Sequence, residues 1–217
     1  MKPGTLKSDF ILLFVATIWG LAFVAQRIGM DHVGPFTFNG LRFTLGCLSL
    51  MPFLYFKREK IAQSSRDGLA KAGLISGVFL FSGISFQQVG LVYTTAGKAG
   101  FITGLYVVIV PLLNLVFKQD KTGIGTWAGA ILATIGMYFL SVTRDLSVNF
   151  GDILIFCSAI CFAFHLIIIG KLSNRYNTTL LSFLQCLVCA VLSLLIAGIF
   201  ERFNFSDIAK VTIPLLY

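Results

Sequence analysis

Long apolar runs recur along the whole chain, separated by short polar breaks. That recurrence leaves few folds open. A helix needs about 20 mostly apolar residues to cross the hydrocarbon of a bilayer, and inside lipid it can satisfy its own backbone polar groups where an open strand cannot. Seven complete spans are predicted, at about 10–25, 35–56, 69–90, 96–117, 126–142, 152–170 and 180–200, with an eighth beginning near Ser206. The expected fold is an all-α polytopic membrane protein with seven complete transmembrane helices plus the start of an eighth.

Charge supports this. Charged residues make up 12% of the chain and hydrophobic ones 57%, where a soluble domain would carry about 25% charge. The first run follows Lys2 and Lys7 as in a signal peptide, but no soluble domain comes after it, so an uncleaved first helix is expected. The formal net charge of +8 reports orientation rather than a nucleic-acid partner. With the N-terminus in the cytoplasm, eleven lysines and arginines fall on the cytoplasmic side and five on the outer side, and Arg42 completes the 17. That is the positive-inside pattern, and it predicts a multi-pass protein of the cell membrane. All five cysteines fall inside spans and say nothing of redox compartment.

Arg42 stands out. It lies within the second run, where an arginine at mid-bilayer costs roughly 2.5–3.5 kcal/mol even on a lenient scale. Seven residues past Pro35, it should sit roughly 10 Å below the outer end, with Asn39 three residues earlier on the same face. Gln26, Gln87, Gln88 and Lys98 belong to the same outer half. These residues are expected to line an outward-facing vestibule whose cationic and amide groups hold an anionic or zwitterionic solute, while aromatic lining such as Trp19, Phe23 and Tyr106 would also suit an apolar one. A bland reading stands beside it. Arg42 and Lys98 can snorkel to the interface, and glutamines often act as glue between helices.

All nine acidic residues lie in loops or at span ends, so the mid-membrane carboxylate of a proton relay is absent. Proton coupling would need His165, a vestibule lysine or further helices. Cys157, Cys161 and His165 at i, i+4 and i+8 resemble a metal pathway, but cysteine in a helix behaves as a small hydrophobe, and neither metal nor cofactor is expected. No H-E-x-x-H, G-x-S-x-G or P-loop pattern suggests an enzyme. Pro111, mid-span, is a candidate hinge. Small-residue ladders at Gly125, Gly129 and Ala133 and at Ala96, Gly100 and Gly104 suit close packing within the bundle or across a homodimer.

A faint repeat appears at an offset of 143: Asp9-Phe-Ile-Leu-Leu falls on Asp152-Ile-Leu-Ile-Phe, Trp19 on Phe162, and Leu41-Arg42-Phe43 on Leu184-Gln185-Cys186. Five spans separate the copies. The odd number inverts the second copy, an architecture that places a transporter's substrate between its repeats.

Ile18-Trp19-Gly20, Leu41-Arg42-Phe43, Tyr93-Thr94-Thr95-Ala96 and Pro111, with Asp120-Lys121 where Glu-Arg is usual, make the chain resemble the EamA-like permeases of the drug/metabolite transporter superfamily. The resemblance implies ten helices in two inverted five-helix repeats about a central cavity, and the movement of small metabolites, often amino acids. Residues 1–142 would form the first repeat and 150–217 an incomplete second. The rival expectation is a non-transporting, truncated membrane protein that acts only by packing against a partner.

Overall fold

The computed structural model describes residues 3–56, 67–117, 123–141, 149–202 and 205–216. The Asp120-Lys121 pair lies outside them. Every regular element among the described residues is helical. These are α1 (Pro3–Gly29), α2 (Pro35–Phe56), α3 (Leu69–Tyr93), α4 (Ala96–Gly104), α5 (Tyr106–Val116), α6 (Ile124–Ser141), α7 (Phe150–Leu172), α8 (Thr178–Phe200), α9 (Phe205–Lys210) and α10 (Thr212–Leu216).

Five stretches are long and apolar enough to cross a membrane: Ser8–Gly29, Leu69–Tyr93, Ala96–Val116, Phe150–Leu172 and Thr178–Phe200. The helix α2 carries Asn39 and Arg42, and the apolar stretch Ile124–Gly136 of α6 is shorter. Large apolar side chains point outward all round, Phe139 being 77% exposed and Ile199 74%. That is the surface a lipid solvent calls for. The protein is a multi-pass membrane protein.

Local chemistry sets the helix ends. The side chain of Asn149 accepts the Asp152 N–H at 2.9 Å, and the Asp152 carboxylate accepts the Asn149 N–H at 3.1 Å, a reciprocal box that starts α7. Asn177 caps α8 through the Leu180 N–H at 3.1 Å. Proline at the first position of α2 has no N–H to leave unsatisfied.

Two expectations shift. The fourth run is broken at Leu105, six residues before Pro111, so that α4 and α5 follow one another as separate helices. The run expected to start near Ser206 is interrupted at Val211 between α9 and α10.

At the centre lies α3, packed chiefly against α7 and α8, while α2 packs along α8. Glycines permit this closeness. A Cβ on Gly73 would lie 2.7 Å from the Cβ of Leu184, and one on Gly77 2.7 Å from the Cβ of Val188. On another face of α3, Gly83 meets the Phe162 ring and Gly90 meets Ile155. Close backbone approach is how membrane helices gain packing without a hydrophobic drive. By contrast, a Cβ on Gly125 or Gly129 of α6 would meet nothing within 4 Å, so no other helix approaches closely at those two positions among the described residues.

Helix boundaries recur along the chain at the offset seen in the sequence. It carries the end of α1 (Gly29) onto the end of α7 (Leu172), the start of α2 (Pro35) onto that of α8 (Thr178), and the start of α3 (Leu69) onto that of α10 (Thr212). Two buried clusters follow the same spacing. Val33 and Phe38 pack with Val211. Their counterparts at the offset, Tyr176 and Leu181, pack with Leu69 and Ala72.

Candidate functional site

The polar strip begins on α2. Three residues apart and on one helical face, Asn39 and Arg42 meet: Arg42 Nη2 donates to Asn39 Oδ1 at 3.2 Å. Asn39 is fully buried and donates from Nδ2 to the carbonyl of Ile84 on α3 at 3.4 Å. The Arg42 guanidinium carbon lies 5.8 Å from the Phe38 ring centroid and 5.2 Å from that of Phe43. Each aromatic face stabilises the cation by about 0.5–2 kcal/mol. No carboxylate forms a salt bridge with Arg42 among the described residues. The positive charge thus has amide and aromatic neighbours but no counter-ion there.

One turn beyond Ile84 on α3, Gln88 is fully buried and donates from Nε2 to the sulfur of Met30 at 3.3 Å. One turn before Met30 on α1, Gln26 donates to the Ala22 carbonyl at 3.1 Å. The side-chain oxygens of both glutamines are buried and accept no hydrogen bond among the described residues. An orphaned buried acceptor costs about 1–3 kcal/mol, and a water or a donor on a ligand removes that cost. Asn39 and Arg42 on α2 and Gln88 on α3 are thus joined through Ile84 and its helical turn, and Gln26 lies one turn before the Met30 that Gln88 meets.

Other predicted residues go elsewhere. Gln87 turns to α4 and donates to Thr103 Oγ1 at 3.2 Å. Lys98 lies 3.8 Å from the Asp152 carboxylate at the start of α7. Trp19 is 60% exposed on α1. Tyr106 is half-buried at the first residue past the Leu105 break, and Pro111 is buried within α5.

Three side chains carry more than their sequence positions suggest. Glu201, just past the end of α8, accepts from the Phe36 N–H at 2.9 Å, the Thr37 N–H at 2.7 Å and the Thr37 hydroxyl at 2.7 Å. A carboxylate from one helix thus caps the N-terminus of another, where the helix dipole favours negative charge. Asp152, besides its box with Asn149, accepts the Thr94 hydroxyl at 2.5 Å at the end of α3. His165 meets Gln185 at 2.6 Å between α7 and α8, an apolar setting in which each satisfies the other. Nothing in the sequence reveals the first two pairings, because the partners lie far apart along the chain and on different helices. Gln185 was legible only as the residue on which Arg42 falls at the 143 offset.

Residues 6–142 match the family model described as the EamA-like transporter family. An uncharacterized transporter of Archaeoglobus fulgidus is 39% identical over 191 residues, 87% of this chain and 57% of that protein. The uncharacterized transporter YoaV of Bacillus subtilis is 22% identical over 156 residues, 69% of this chain and 52% of that protein. A probable amino-acid metabolite efflux pump of Salmonella typhimurium is 27% identical over 135 residues, 62% of this chain and 42% of that protein. The chain spans about half the length of these curated relatives. No solved structure matches it.

Proposed function

The chain belongs to the EamA-like transporter family, and from that premise we propose that it forms most of a secondary transporter moving small anionic or zwitterionic metabolites, amino acids among them, by alternating access. Seven helical passages and the start of an eighth make up its part of a two-times-five-helix array, with the N-terminus in the cytoplasm. Residues 1–142 form the first repeat and 150–217 the opening of an inverted second. The boundaries and paired clusters recurring at one common offset support that division, since an unrelated second half would have no reason to keep the register.

One observation carries the functional reading: Arg42 lies inside an apolar helix with no ion-pair partner among the described residues. Ionisable groups in spanning helices face the bundle interior or a watery cavity and mark solute paths. A solute carboxylate supplies the missing charge, and the orphaned oxygens of Gln26 and Gln88 suit the donors of an ammonium group. Tyr106 lies by the Leu105 break, and Pro111 with that break provides the bending point between open states.

The test is flux of a panel of amino acids and small carboxylates through liposomes holding the full-length protein. Arg42→Gln should lower flux at least tenfold with protein abundance unchanged. Normal flux in that variant at normal abundance overturns the reading.

A further inference from the structure

At the end of the bundle away from Arg42, the start of α3, the end of α7 and the turn that follows it line an open cleft of about 440 Å³. Its lining includes Lys71, Arg175, Tyr176 and Asp67. The floor is rigid. Tyr176 is buried against Leu69, Ala72 and Leu181, and its hydroxyl donates to the Asp67 carbonyl at 2.9 Å. Gly68 turns the chain there at φ 77°, a backbone conformation open to glycine, with the Tyr176 hydroxyl 3.1 Å from where a Cβ would stand. Arg175 lies with its guanidinium carbon 5.4 Å from the Tyr176 ring centroid, and its own N–H is fixed to the Leu172 carbonyl at 3.0 Å.

We propose that this cleft binds the phosphodiester headgroup of an anionic lipid, held between the Lys71 ammonium and the Arg175 guanidinium. Both cations are exposed, and neither forms a salt bridge among the described residues. The Asp67 side chain lowers the net charge of the cleft to one positive, so the phosphate sits on the side of the two cations, where guanidinium geometry suits it. Depth selects the source. Lys71 stands at the third residue of a 25-residue span and Arg175 in the turn between two others, the level at which lipid phosphates lie. Basic side chains at this level attract anionic lipid. Here an aromatic ring and a fixed turn hold one of them in place. The site is independent of the transport path.

Native mass spectrometry of the full-length protein in detergent, with phosphatidylglycerol or phosphatidylcholine added, tests this. The wild type should retain phosphatidylglycerol preferentially, and K71Q/R175Q should reduce that retention on the order of tenfold. K171Q, which removes an exposed charge at the end of α7 outside the cleft lining, should leave it unchanged. Equal retention of both lipids, or an equal loss in K171Q, overturns the proposal. Displacement of the lipid by millimolar inorganic phosphate makes the cleft a free-phosphate site and equally overturns it. If the double variant aggregates, K71Q alone carries the same comparison.

Discussion

Asp152 carries three contacts of unequal weight. Its carboxylate completes the box with Asn149, accepts the Thr94 hydroxyl at 2.5 Å, and stands 3.8 Å from Lys98. Losing the N3 side of the box costs less than the roughly 1 kcal/mol of a lost N-cap, because Asn149 still caps the helix. A lost hydrogen bond to a buried charge costs about 1.5–3 kcal/mol. A partly exposed ion pair at that distance is worth less than about 1 kcal/mol. Asp152→Ala should therefore lower the apparent melting temperature in detergent by roughly 5 °C or more, and Lys98→Ala by less than half as much. A larger loss in Lys98→Ala would place the stability of this corner in the ion pair instead. At this scale the sequence shows neighbours on one helix and conceals partners on another. The Asn39–Arg42 pair follows from helical spacing alone. The reach of Asn39 to Ile84, of Glu201 to the start of α2 and of Asp152 to Thr94 depends on which helices pack, and no spacing rule encodes that.

Among the elements, the glycines separate into two kinds. Gly73 and Gly77 of α3 sit against β-carbons of α8, which are fixed to their backbone and cannot turn aside. Gly77→Ala should cost about 1–3 kcal/mol by overpacking. Gly129→Ala on the open face of α6 should be neutral or stabilise by up to about 1 kcal/mol, because alanine is the better helix former. Thermal unfolding of the two variants side by side checks the contrast, and equal effects would remove the central role assigned to α3. Most element positions were legible to within about three residues, since apolar run length is the physical quantity that lipid selects, but α1 starts at Pro3 where the run was expected from about 10. The ladders singled out by pattern, on α6 and α4, were not the tightest contacts, because a small residue marks close approach only where another helix arrives. Pro111 announced a disturbance. The break falls at Leu105, beyond the Val107 carbonyl that the proline leaves without a donor.

For the whole molecule, the alternation of turns makes a prediction that reporter fusions can read. A reporter joined after Arg175 should be active in the cytoplasm, and one joined after Asp31 should be active outside it. The reverse pattern would overturn the charge-based orientation and exchange the inner and outer faces assigned to every site above.

The central place of α3 also bears on how the protein is made. It starts at Leu69, whereas its neighbours α7 and α8 start only at Phe150 and Thr178, so α3 enters the membrane well before they do. Until then the faces of Gly73 and Gly77 and of Gly83 and Gly90 wait without the α8 and α7 side chains that cover them. The first half is thus a client held open during translation, and its native packing becomes available only once the second half begins to emerge from the ribosome.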